Sequence, residues 1–369
     1  MSRPAKALID LNALRHNVGL ANQLSPQSRT MAIIKANAYG HGAVPVARAI
    51  EDLVPAFGVA CIEEALELRE SGIVKPICLL EGAFSSDEID IAAQHDFWLS
   101  VVNREQLEAV LAARPASALN IWLCVDSGMH RLGIRPEEVV ATYGALHACD
   151  HVASSIVVAT HFACADELNN DFTRQQLARF NAGMAGLSSE GPIELSLANS
   201  AALLGWPECR AGWSRPGIML YGSSPFPEAH MLAEQLQPVM TLQSSVIALR
   251  EVPPGETVGY GARWSARQPS RIATVAMGYG DGYPVHAPDG TPVLVKGQRC
   301  PMVGRVSMDM ITVDVTGLSD VDVGDDVVLW GRGLSVNDIA KRAGTISYEL
   351  LTRMPRRVPR VYLEADSNG

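Results

Sequence analysis

The chain has 369 residues, long for one ordinary domain and short for three, so two domains are expected. Its 47% hydrophobic and 19% charged residues fit a folded globular protein and exclude a disordered one. Thirty Lys and Arg against forty Asp and Glu leave a net charge of -10, which argues against nucleic acid or an anionic membrane as the main partner.

The N-terminal stretch lacks the apolar core of a signal peptide, and no later segment is long and apolar enough to cross a bilayer. Seven cysteines, odd in number and without a CxxC pair, fit reduced thiols in a cytoplasmic protein. Strand-like apolar runs follow at 31–35, 56–61, 76–80, 97–102, 119–126, 155–161, 193–198 and 216–221. Between them, apolar residues at three- and four-residue spacing predict helices at 62–71, 87–95, 104–114, 136–148 and 171–187. Eight strands alternating with helices predict a (β/α)8 TIM barrel over residues 1–230, with an open doubly wound sheet as the alternative. Beyond residue 230 the texture changes to β-favouring runs at 239–249, 271–276, 291–295, 311–315 and 326–329, with one clear helix at 336–343. Turn material such as Pro253-Pro254-Gly255 and Asp289-Gly290 separates these runs, so residues 231–369 read as a C-terminal, mainly-β domain.

In a (β/α)8 barrel the reactive groups gather at the C-terminal ends of the strands. Lys35 ends the first run, Asp126 and Arg131 follow the fifth, His161 closes the sixth, Asn199 and Ser200 follow the seventh, and Arg215 precedes the eighth. A lysine at the end of an apolar strand is partly desolvated, which favours the neutral amine as nucleophile or base. Binding a carboxylate or phosphate as a simple cation is the competing reading of Lys35. The run Arg215-Pro-Gly-Ile-Met-Leu-Tyr-Gly offers backbone N–H groups to an anion beside Gly217, where the plainer reading is a tight turn. A lysine nucleophile, a phosphate cradle and a cation able to face a ring nitrogen together point to pyridoxal 5'-phosphate.

The sequence closely resembles the alanine racemase family over essentially its whole length. The resemblance is carried by AIIKANAYGHG (32–42), DSGMHRLG (126–133), THFACAD (160–166), ANSAA (198–202), RPGIMLYG (215–222), VGYGARW (258–264), MGYGDGYP (277–284), GRVSMDM (304–310) and SYELL (347–351). It implies a fold-type III pyridoxal-phosphate enzyme, an isomerase interconverting L- and D-alanine as a head-to-tail homodimer. A role in D-alanine supply for peptidoglycan precursors and a catabolic role would use the same residues.

The resemblance also implies residue roles. Lys35 carries the cofactor as a Schiff base and acts as base on one face of the substrate Cα, while Tyr260 of the partner subunit acts on the other. A phenol titrates near pH 10, so that tyrosine needs a stabilising neighbour or an alkaline optimum. Arg215 faces the pyridine nitrogen and leaves it unprotonated, Arg131 binds the substrate carboxylate, and His161 packs against the cofactor ring. Tyr39, Ser200, Gly217, Ile218 and Tyr348 match the phosphate-binding set, and Asn199 is counted with the cofactor-binding residues. Met308, through its backbone N–H, and Asp309 beside it match the carboxylate contact across the dimer. Tyr279 matches an entrance tyrosine whose narrow bore admits a methyl group, although serine is harder to reject. No metal site is expected.

Two positions depart from the family pattern. Cys124 stands where many members have a lysine, often carbamylated, so an anion or water network is expected to help orient Arg131. Ser196 stands where many have a relay histidine, so the tuning of Tyr260 is expected to differ. Among rival readings, a decarboxylase of the same architecture needs an acidic partner for the ring nitrogen, where this chain has Arg215. A single-barrel carrier of the cofactor would lack the second domain. A racemase of another small amino acid, such as serine, is the nearest alternative.

Overall fold

The computed structural model describes residues 3–187 and 193–363. The first strand, β1 (Lys6–Asp10), leads into a helix, Leu11–Leu24, which the Asp10 carboxylate caps by accepting from the N–H groups of Asn12 and Ala13. Eight parallel strands then close a barrel: β2 (Arg29–Ile33), β3 (Ala56–Val59), β4 (Ile77–Leu79), β5 (Phe97–Val101), β6 (Ile121–Val125), β7 (Val157–Thr160), β8 (Glu194–Asn199) and β9 (Trp213–Arg215). Their near-continuous apolar composition follows from burial on both faces. Closure is made where Arg29 and Thr30 of β2 pair with Trp213 and Ser214 of β9. The barrel expected from the alternation is therefore present, and the open sheet is not.

Trp98, Trp122 and Trp213 all sit near the N-terminal ends of their strands, with ring centroids 5.3 to 6.1 Å apart. Strands β5 and β9 are not neighbours, so this contact crosses the barrel interior and plugs its lower end. Arg29 stacks over Trp213 at 4.2 Å and pairs with Glu194, closing the plug from below. With that end filled, polar groups are left to the opposite mouth.

The last third forms β10 (Met240–Val252), β11 (Thr257–Val258), β12 (Trp264–Ser265), β13 (Ser270–Val275), β14 (Pro292–Val295), β15 (Gln298–Val303), β16 (Ile311–Asp314), β17 (Asp326–Trp330) and β18 (Arg360–Leu363). The long β10 pairs with β13 through one half and with β17 through the other, so pairings run in a ring through β16, β15 and β14. The N-terminal strand β1 joins this sheet, antiparallel to β10 and parallel to β18. One continuous apolar core links barrel and sheet.

Most sequence runs meet their elements within a few residues, and the helix Val336–Ala343 matches its expected bounds. The eighth strand does not. The run 216–221 forms a buried 3-10 turn, Ile218–Tyr221, and the strand is instead the short β9 before it, with Arg215 as its last residue. Pro216 has no N–H for the ladder, and the Gly217 N–H goes to a side chain, so the chain leaves the sheet there. An apolar run buried on every side looks alike in either conformation. The sequence reading also passed over the hairpin partner β15, whose turn places Lys296 and Gly297 at φ +50 and +79.

Candidate active site

Lys35 is half-buried and opens the turn Lys35–Tyr39 just past β2. The next four residues, Ala36, Asn37, Ala38 and Tyr39, have φ between 51 and 54°, a run of left-handed backbone without glycine. Each such residue costs about 1–2 kcal/mol, so the surroundings must hold the turn. Glu64 does so with both oxygens, accepting from the N–H of Ala36 at 2.6 Å and of Ala60 at 2.8 Å. Asn37 Oδ1 accepts from the Ala43 N–H at 2.8 Å, and the Tyr221 hydroxyl donates to the Ile33 carbonyl at 2.9 Å. The fully buried His41 sets Nδ1 at 3.0 and 2.9 Å from the Ala38 and Tyr39 carbonyls.

Behind the turn lies an aromatic wall. Tyr39 stacks on Tyr221 at 4.7 Å and meets Tyr348 at 6.2 Å, and burial raises the Tyr39 phenol to about 12. Burial also raises the Tyr348 phenol, so both remain protonated donors. Against this wall, the buried Ser200 hydroxyl accepts from the Gly217 N–H at 2.8 Å and the Met219 N–H at 3.4 Å. A Cβ on Gly217 would lie 2.6 Å from the Tyr39 hydroxyl, so only glycine leaves this corner open. Asn199 caps the helix Ser200–Gly205 by accepting from the Ala202 N–H at 2.9 Å, and Ile218 is buried beside Gly217.

Arg215 is buried at the end of β9, and among the described residues its guanidinium donates only to neutral oxygens: the Ser196 hydroxyl, the Thr160 carbonyl at 2.6 Å and the Leu197 carbonyl at 3.5 Å. Burial lowers its proton affinity, opposed by the thiols of Cys124 and Cys78. His161 lies one residue past β7, exposed at the C-terminal end of that strand. Burial, then Arg215, Arg131 and Lys35, depress its pKa to about 3, leaving it neutral. Those three cations and His161 therefore share one mouth. Arg131 has no hydrogen-bond or ion-pair partner among the described residues. At the Cys124 position a half-buried neutral thiol stands 4.0 Å from the Trp122 carbonyl. Asp126 instead closes its own loop, accepting from the N–H groups of Gly128 and His130.

A second group lies on the C-terminal sheet. Tyr260 starts a short turn after Gly259 and is 72% exposed, Met308 is 53% exposed and Tyr279 43%. The Tyr279 N–H donates to the Ser307 carbonyl, and Arg263, three residues after Tyr260, donates to the Gly304 carbonyl. Asp309 accepts from Arg357 at 2.7 Å. Among the described residues, no hydrogen bond, ion pair or ring contact joins this group to the barrel mouth within one chain.

Residues 9–225 match the family model described as alanine racemase, N-terminal domain, and residues 239–362 match the alanine racemase, C-terminal domain. The chain belongs to the alanine racemase family. It is 51% identical over 367 residues to the alanine racemase of Chromohalobacter salexigens, covering 100% of both chains. It is also 51% identical over 361 residues to a protein of Pseudomonas putida named alanine racemase, catabolic, covering 98% and 99%. The crystal structure of the biosynthetic alanine racemase from Pseudomonas aeruginosa superposes with a TM-score of 0.93 at 48% identity, covering 98% of this chain and 100% of that one.

Several residues that shape this alanine racemase fold around the site were not singled out from sequence. Glu64 and Tyr221 support the Lys35 turn, and the buried Gln176 donates to the His161 carbonyl at 3.1 Å while accepting from the Ala163 N–H at 2.9 Å. Apart from the Glu64 contact to Ala60, their partners lie 13 to 188 residues away, and no local pattern marks such pairs. Chemically, the mouth offers an amine, two guanidinium groups and a neutral imidazole. That set suits a ligand carrying phosphate and carboxylate charges.

Proposed function

We propose that this chain interconverts L- and D-alanine with pyridoxal 5'-phosphate, using Lys35 and the partner subunit's Tyr260 as opposing bases. The observation that carries the reading is Lys35 at a mouth whose buried Arg215 meets only neutral acceptors among the described residues, in a chain half identical to relatives named alanine racemase. The residues fit the cofactor. Gly217 keeps a corner free of any side chain, Ser200, Tyr39 and Tyr348 supply hydroxyls for a phosphate, and Arg215 is a buried cation lacking a carboxylate among the described residues. When bound, the cofactor supplies the electron sink that acidifies the substrate Cα–H.

Lys35 holds or releases a proton at Nζ on one side of Cα, and Tyr260 does the same at its phenolic oxygen on the other. Two opposed bases are needed because a single base returns the proton to the face it left. Arg215 donates and does not readily give up its proton, so it keeps a facing ring nitrogen unprotonated and returns charge to Cα. Arg131 and the Met308 N–H orient the carboxylate, and Tyr279 narrows the entrance to a methyl-sized side chain. The exposure of Tyr260, Tyr279 and Met308 supports a dimer in which the C-terminal sheet of one subunit covers the barrel mouth of the other. We assign the protein to the cytoplasm: all seven cysteines are free, and no described helix is long and apolar enough to cross a membrane.

The test is proton NMR of L-alanine in deuterated water with purified protein and pyridoxal phosphate, followed by chiral analysis. Loss of the α-proton signal with D-alanine formed is expected. Bound cofactor without exchange would move the substrate away from alanine.

A further inference from the structure

The exposed loop 307–310 is anchored at three successive carbonyls. The Ser307 carbonyl accepts from the Tyr279 N–H at 3.0 Å, the Met308 carbonyl from the Gly280 N–H at 2.8 Å, and the Asp309 carbonyl from Arg3 Nη2 at 2.8 Å. In a trans peptide the N–H points opposite to the preceding carbonyl. With the Ser307 carbonyl tied inward to the 278–282 loop, the Met308 N–H is turned outward, and it has no acceptor among the described residues.

All three anchors trace back to Asp281, whose carboxylate is completely buried. Its Oδ2 accepts from the Gly278 N–H at 2.9 Å, which closes the loop carrying Tyr279 and Gly280, and from Arg3 Nη2 at 2.7 Å. Its Oδ1 lies 2.9 Å from Arg357 Nε, and the other arm of Arg357 binds the Asp309 carboxylate at 2.7 Å. Two arginines from opposite ends of the chain thus tie the buried Asp281 carboxylate to Asp309, Arg357 through the Asp309 carboxylate and Arg3 through its backbone carbonyl. The loops abut so closely that a Cβ on Gly278 would collide with the Ser307 and Met308 backbone. The cluster holds two positive and two negative charges, and its surface outlet is Met308–Asp309.

We propose that Asp281 is a positioning residue for substrate-carboxylate binding: through Arg3, Arg357 and the 278–282 loop it aims the Met308 N–H into the partner subunit's site. This rests on the assignment of the Met308 N–H as a carboxylate contact. Asp281 touches neither substrate nor cofactor. It sets where a donor sits, and donor misplacement weakens carboxylate binding.

The experiment compares wild-type holoenzyme with Asp281→Asn and Arg357→Gln in steady-state racemisation from both enantiomers, with propionate as a competitive inhibitor. Asn keeps an acceptor for the Gly278 N–H but removes the charge that holds the arginines. KM for both enantiomers and the propionate inhibition constant should rise about tenfold together, with kcat within about twofold and bound cofactor unchanged. Arg357→Lys should recover part of the loss. Should Asp281→Asn fail to fold, the more exposed Arg357 pair carries the same test. Unchanged KM and propionate affinity in folded variants would overturn the proposal while leaving racemisation intact. Absence of racemisation by the wild type would instead overturn the functional reading beneath it.

Discussion

Lys35 and Arg215 are both cations at the barrel mouth, yet their settings differ. Arg215 is buried and held by neutral oxygens, whereas Lys35 is half-buried at the start of a strained turn. Replacing Lys35 by Ala should lower kcat by about a thousandfold or more, since a positioned base contributes roughly 10²–10⁴. A variant retaining more than a tenth of wild-type turnover would remove Lys35 from the base pair. The histidines give a stability prediction. Burial holds His41 at about 4 and, with the three cations, His161 at about 3 in the folded protein. The unfolded imidazoles titrate near 6.5, so below that pH the unfolded state binds more protons. Stability is therefore complete above pH 6.5 and is lost as pH falls toward 4 for His41 and toward 3 for His161. Each contributes a slope of up to about 1.4 kcal/mol per pH unit, His161 less because its ring faces solvent. Urea midpoints at pH 7, 6 and 5 should fall progressively, and His41→Gln should flatten that fall by about one proton.

Two short elements decide the geometry of the mouth. The left-handed turn after Lys35 is held against its own preference. Ala36 is exposed, so Ala36→Gly should raise stability by about 0.5–1 kcal/mol, the relief of αL strain less the greater freedom of glycine when unfolded. A urea titration showing destabilisation would mean that the turn is not strained. The bend after β9 is the converse case, in which glycine is required by space. Gly217→Ala sets a Cβ 2.6 Å from the Tyr39 hydroxyl on a stacked, buried ring. Overpacking of this kind costs about 1–3 kcal/mol, so cofactor affinity should fall roughly tenfold or more by fluorescence titration. Neither element was legible as such. AIIKANAYGHG marked Lys35 but gave no hint that four non-glycine residues turn left-handed, and the apolar run after Gly217 read as a strand. Propensity and periodicity describe regular backbone, and both elements are irregular because distant groups hold them.

On the scale of the molecule, barrel and sheet share one core, while the two groups of site residues lie apart within a chain. If each active site combines Lys35 of one subunit with the partner's Tyr260, mixing Lys35→Ala and Tyr260→Phe subunits regenerates intact sites. Random exchange makes half the dimers mixed, each with one intact site, so activity should recover to about a quarter of wild type. No recovery after verified subunit exchange would place both bases in the same chain.

The alternation of strands and helices, the change to a β-rich last third, the lysine at a strand end and the family motifs are all written in residues close along the chain. Which neutral oxygens face Arg215, what holds the turn after Lys35, and how Arg3 meets Asp281 across 278 residues follow from the closed fold alone. Periodicity is a local record of burial. A hydrogen-bond partner is fixed only when the whole chain has closed around it.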